Sequence, residues 1–324
     1  MTIPQYWAEA RLRQRAGGKQ VTLRRFGWSD ESQEAAQAHA DTRVQQAMAE
    51  WNAGKKLERR EMKRAYNGGQ GLPIREEVIS RHGEVVITRN LYGARCLNTP
   101  NVLFADIDFE ERRSVYHDLV IPLSLVTAIV VGLAKLSFSY WILTFIGMIV
   151  SLLTLRLLWS GWMRLFVGTP EKRSYKRIAG FARRHPDWHL RLYRTPAGFR
   201  LLAIHRLFSP DEPAVMECFR QLGVDRLYAR MCMNQQCFRA RVSPKPWRIG
   251  ITHHLKPRPG VWPIRPERMP ERQRWVDDYE RRAKKYAACE FIEALGAPTI
   301  DPQAQAVQVL HDEMCRGVGK LRIA

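Results

Sequence analysis

Long chemical signatures are what this chain lacks. It contains no G-x-S-x-G turn, no H-E-x-x-H helix, no Walker A loop and no G-x-G-x-x-G turn, so the common hydrolase and NTPase classes lose their main support. Cysteine is sparse: Cys96, Cys218, Cys232, Cys237, Cys289 and Cys315 are spread over 324 residues. That is too thin for a secreted disulfide scaffold, and reduced thiols are the default reading. Met1 to Gly18 is broken by Glu9, Arg11, Arg13 and Arg15 before any apolar run, a pattern unlike a signal peptide. Acidic residues are also scarce, 32 Asp and Glu against 52 Lys and Arg. The resulting charge of +20 favours anionic partners: nucleic acid, nucleotide phosphates or anionic lipid headgroups.

The mean hydropathy of −0.35 hides a local extreme. Leu119 to Ala134 and Phe138 to Leu155 carry no charge and are separated only by Lys135, Leu136 and Ser137. Each run approaches the ~20 residues that a bilayer core requires. Tyr140 and Trp141 open the second run and Trp159 and Trp162 follow it; Arg112 and Arg113 precede the hairpin and Arg156, Arg164, Lys172, Arg173, Lys176 and Arg177 come after, against Lys135 alone at the tip. The expectation is a two-helix transmembrane hairpin over 118–163 that contacts the lipid bilayer. Positive-inside bias makes this a multi-pass cell-membrane protein with both termini cytosolic.

Around the hairpin the pattern reads as α+β, a small mixed or antiparallel sheet covered by helices. Residues 1–117 form an N-terminal half and 164–324 a basic C-terminal half with 31 Lys and Arg against 16 Asp and Glu. In the first half, Gln20 to Trp28 reads as a strand, and a long polar helix opens near Ser29 or Asp30 and runs to about Trp51. Asn67 to Gly71 breaks the chain. Glu77 to Ser80 and Glu84 to Arg89 flank His82-Gly83 as a hairpin, and Val102 to Phe109 is a buried strand.

In the second half, Glu171 to Arg184 and Glu212 to Leu222 read as helices, while His189 to Tyr193 and Phe199 to His205 form a strand pair. A proline-rich arm follows over Ser243 to Arg274, and helices over Glu271 to Leu295 and Pro302 to Arg316 close the chain. The two halves suit one composite domain or two separate ones.

Three constellations could carry chemistry. Strand alternation points Asp106 and Asp108 to one face, the arrangement by which two carboxylates share Mg²⁺ or Mn²⁺ bridging a phosphate; a solvated strand end explains the same letters. The turn from Thr195 to Gly198, followed by Arg200 and His205, could approach a phosphate, or be a plain β-hairpin. Arg239, Arg241, Lys245 and Arg248 interleave with Tyr228, Phe238 and Trp247, which suits phosphate and base contact, headgroup contact or a solvated basic face. Among the cysteines, His311 and Cys315 lie four apart on a helix face. A zinc site would need further ligands that only the fold could deliver.

An apolar D-x-D strand followed by a strand-turn-strand rich in Thr, Gly and basic residues resembles the archaeo-eukaryotic primase family. The resemblance implies a small α/β unit joined to an RRM-like sheet, with two divalent metals held through Asp106, Asp108 and a further acid, for which Asp225 is the candidate. It also implies a phosphate-holding turn at Thr195 to Arg200. Arg200 stands where that family places His directly after the turn, and His205 comes five residues later.

The expected function is a basic domain that binds nucleic acid or nucleotides, with metal-dependent nucleotidyl transfer through Asp106 and Asp108. Two alternatives stand beside it. One is a D-x-D nucleotide-sugar metal site; the other is a non-catalytic membrane scaffold for anionic lipid or an acidic protein partner.

Overall fold

The computed structural model describes residues 1–16, 19–59, 61, 72–109, 147, 149–151, 153–154, 157, 168–258, 260–317, 319 and 321–324. The chain divides into two compact units, one built from Met1–Ile107 together with Phe181–Ala324, the other from Asp108–Gly180.

The first unit opens with an antiparallel hairpin, β1 (Tyr6–Ala16) and β2 (Lys19–Ser29). Alternation along β1 puts Ala8, Ala10 and Leu12 on one face and Glu9, Arg11, Arg13 and Arg15 on the other. The apolar face packs on α1 (Gln33–Asn52) through Val21, Leu23, Ala36, Ala40, Val44 and Met48. Ser32 caps that helix by accepting from the Ala35 N–H. The cap therefore lies later than Ser29 or Asp30, because the chain finishes β2 before it can turn.

Two four-stranded sheets carry the rest. One has the order β3 (Glu77–His82), β4 (Val85–Arg89), β5 (Arg95–Thr99), β9 (Phe238–Arg241). The other has the order β10 (Glu290–Gly296), β7 (His189–Thr195), β8 (Gly198–Ala203), β6 (Phe104–Asp108). Both join strands from the two sides of the 108–180 stretch: Cys96 to Thr99 pair with Arg241 to Phe238, and the Ala203 N–H donates to the Leu103 carbonyl.

The helices are α2 (Pro170–Arg184), α3 (Pro213–Leu222), α4 (Arg226–Gln235), α5 (Met269–Ala283) and α6 (Pro302–Cys315). From α4, the Tyr228 hydroxyl lies 3.0 Å from the carbonyl oxygens of both Phe104 and Arg239, tying β6 to β9. The helix expected over Glu271 to Leu295 stops at Ala283, and its second half is β10, an antiparallel partner of β7.

The fold class is corrected in one respect. Among the described residues no helix is long and apolar enough to cross a membrane, so the expected transmembrane hairpin is withdrawn, and with it the bilayer contact and the multi-pass cell-membrane placement with cytosolic termini. The runs on which that reading rested, Leu119 to Ala134 and most of Phe138 to Leu155, lie outside the described residues, as does the Asn67 to Gly71 break. What stands is an α+β fold with antiparallel pairing.

Candidate functional site

The strand pair β7–β8 closes with Thr195 opposite Gly198, so the expected phosphate turn is a two-residue loop, Pro196 half-buried and Ala197 exposed, between largely buried strands. Its next basic residue points inward. Arg200 is only 1% exposed, and its guanidinium donates from Nε to Asp106 Oδ1 at 2.7 Å and from Nη2 to Asp106 Oδ2 at 3.0 Å. Burial alone would raise the Asp106 pKa, but the Arg200 cation beside it wins and holds the carboxyl below its ordinary range.

Both Asp106 oxygens are thus engaged by a cation. Mg²⁺ or Mn²⁺ coordinated there would share the carboxylate with a buried guanidinium, whose charge opposes a second cation. Asp106 is therefore an ion-pair partner in this arrangement. Asp108, at the exposed end of β6, belongs to the second unit.

The other expected residues scatter. His205 lies beyond the end of β8 with its ring against Trp188 and Phe208, centroids 4.9 and 5.3 Å away, and burial lowers its pKa. Arg239 is buried in an ion pair with Glu76 at 2.5 Å. Lys245 sits over the exposed Trp247 ring, 5.3 Å from its centroid, while Arg241 and Arg248 are half-buried nearby in sequence. Asp225 caps α4 by accepting from the Leu227 and Tyr228 N–H groups. Arg89 and Arg272 are likewise buried and paired, with Glu280 and Glu77. Part of the basic excess therefore braces the interior instead of facing a ligand.

Arg200 leads to a group that the strand pattern did not reveal. Its Nη1 lies 2.8 Å from the Arg241 carbonyl and 3.3 Å from His311 Nε2. Around that nitrogen stand two thiols, Cys315 Sγ at 3.4 Å and Cys289 Sγ at 3.9 Å. The three ligand atoms all lie within 4.8 Å of one another, and all three residues are buried. No protein-family model, curated protein or solved structure matches this chain.

The local sequence explains the convergence. Asp301 caps α6 by accepting from the Gln303 and Ala304 N–H groups, with Pro302 in the first helical turn. One turn separates His311 from Cys315, so both project from one face. Cys289 stands immediately before β10, fixed by the bond from the Ala288 N–H to the Cys315 carbonyl at 2.9 Å. Predicting helix through Leu295 hid that approach.

The surroundings suit a metal ligand set. His311 Nδ1 lies 3.0 Å from Asp312 Oδ1, and Asp312 Oδ2 accepts from Arg191 and Gln308 at 3.0 and 2.7 Å. With that carboxylate accepting from Nδ1–H, the neutral ring presents its Nε2 lone pair to the sulfurs, the outer-shell arrangement typical of a ligating histidine. Burial would lower the His311 pKa, but the contacts with Asp312 and Cys289 together outweigh it and raise the value. The hydrogen bond from Cys315 holds Cys289 well below the ordinary thiol range, while burial and the same contact push Cys315 well above it.

Proposed function

We propose that Cys289, His311 and Cys315 hold a zinc-class transition-metal ion, and that the chain is a metal-braced basic α+β module, not a metal-dependent nucleotidyl transferase. The observation that carries this reading is the spacing. Tetrahedral Zn–S and Zn–N bonds of about 2.3 and 2.0–2.1 Å require a sulfur-to-nitrogen edge of about 3.6 Å. The two observed separations, 3.4 and 3.9 Å, bracket it. Two thiolates and a neutral imidazole balance a dication, and soft sulfur favours this class over Mg²⁺ or Mn²⁺. On binding, Nε2 would exchange Arg200 for the metal, while Arg200 keeps Asp106 and the Arg241 carbonyl.

The test is metal analysis of protein purified under reducing conditions, followed by Co²⁺ reconstitution. Equimolar zinc and a thiolate-to-cobalt charge-transfer band are expected, both lost in Cys315→Ser and retained in Cys218→Ser. A reduced, folded protein that takes up neither ion overturns the proposal, as does metal content unchanged in Cys315→Ser and His311→Ala.

A further inference from the structure

The basic face of the β1–β2 hairpin forms one wall of a cavity of about 480 Å³ that holds Arg11, Arg24, Arg75, Arg258, Arg265 and Arg268. The opposite wall is the proline-rich arm, from Pro257 to Arg268. One acid, Glu9, lines the same cavity; it pairs with Arg11 at 2.5 Å and Arg24 at 2.7 Å. Arg268 pairs with Glu271. Arg258 and Arg265 are exposed and, among the described residues, enter no ion pair. With Arg258 and Arg265 exposed beside the paired arginines, positive charge exceeds negative in a concave space, which is where counter-ions concentrate.

Two features narrow the ligand. Aromatic rings lie among the cations: Phe26 and Trp262 line the cavity, with the Arg75 guanidinium 3.8 Å from the Phe26 ring centroid. The charge also continues out of the cavity in a line. Register places Arg11 opposite Arg24 and Arg13 opposite Thr22, so Arg11, Arg13 and Arg15 follow one another on the same face. Alternate residues on a strand are about 6.7 Å apart. A linear series of cations ending in an aromatic-lined pocket suits an extended chain of phosphodiesters whose bases stack, and fits a compact anion less well.

We infer that this cleft binds single-stranded nucleic acid, with the phosphates on Arg11, Arg13, Arg15, Arg258 and Arg265 and a base against Trp262. The inference stands apart from the metal centre, since none of the three ligands lines the cleft. It also replaces Thr195, Gly198, Arg200 and His205 as the place where phosphate is met.

Fluorescence anisotropy of a labelled oligothymidylate of about 12 nucleotides, titrated with the full chain across a salt series, tests it. Log affinity should fall linearly with log salt. Arg258→Ala with Arg265→Ala should weaken binding about tenfold or more and flatten the slope by about 1.4, the loss of two single-strand phosphate contacts. Trp262→Ala should weaken binding with the slope unchanged. Arg220→Ala with Arg281→Ala, exposed arginines on α3 and α5, should change neither. Absence of binding at low salt, or equal losses in the two double variants, overturns the assignment. So does displacement of the oligonucleotide by phosphatidylserine vesicles at lower concentration than by unlabelled oligonucleotide, which would make the cleft a lipid-headgroup site. The double variants alter exposed side chains, so circular dichroism should show the unchanged fold against which these losses are read.

Discussion

Arg200 and Asp106 meet in a two-point ion pair between neighbouring strands, 2.7 and 3.0 Å, with the cation buried and the carboxylate partly exposed. Through the same guanidinium the pair reaches the Arg241 carbonyl and His311. One side chain of β8 therefore connects β6, the end of β9 and α6. The two most suggestive letters of the sequence, an acid of D-x-D and a basic residue after a turn, serve each other.

Their separate removal should be unequal. Arg200→Met leaves Asp106 without its cation but with solvent on one side; Asp106→Asn leaves a fully buried cation without a counter-charge. Breaking a buried pair costs about 3–5 kcal/mol, and access to water reduces that for the half that can be solvated. Urea unfolding should show Asp106→Asn as the more damaging change, by about 1 kcal/mol or more, with a double variant less damaged than the sum. Equal and additive losses would show that the pair is not coupled.

Close approach, rather than charge, governs the β2–α1 contact. A Cβ built on Gly27 would lie 2.1 Å from the Ala40 backbone nitrogen and 2.4 Å from the Ala36 carbonyl oxygen. Helix and strand therefore touch backbone to backbone, and Ala36 and Ala40 are the small residues that permit it. Gly27→Ala should cost about 1–3 kcal/mol, because the helix must move out and open the packing of Val44 and Met48 against the Leu23 face. Thermal unfolding gives the loss; a variant as stable as the parent would mean that the contact is looser than it stands.

Patterns of short range were readable in advance. The His82-Gly83 hairpin, the β7–β8 pair and the helix opening at Pro302 follow from turn residues and local periodicity within a dozen positions, and they appear where those signals stand. Strand β1 was missed because its arginines concealed a period of two whose apolar members are mostly alanine. Glu290 to Leu295 was read as helix because Glu, Ala and Leu favour one; pairing with β7 overrode that preference. The same error hid Cys289, which meets His311 and Cys315 only once that stretch becomes a strand. Side-chain destination was the least legible level: nothing local distinguishes an inward Arg200 or Arg239 from an outward Arg258.

Acid should attack the hairpin and α1 through Glu61. Its carboxylate receives the Arg43 guanidinium at 2.8 and 3.1 Å and the Phe26 N–H at 3.0 Å, pinning the segment after α1 against β2. Burial pushes the Glu61 pKa up, but Arg43 and the Phe26 N–H outweigh it and hold the group below its ordinary 4.5. A carboxyl depressed in the folded chain binds fewer protons there than when unfolded, so its contribution to stability is complete above the unfolded value. It is then lost as pH falls through the lower folded value. Glu61→Gln should therefore cost about 1–2 kcal/mol at neutral pH, the order of a hydrogen bond to a charged group. The deficit should shrink as pH drops below the ordinary glutamate range, where the parent loses the same charge. Urea titrations of both proteins from neutral to acid give the two curves. A deficit that persists unchanged at low pH would show that Glu61 acts by shape instead of charge.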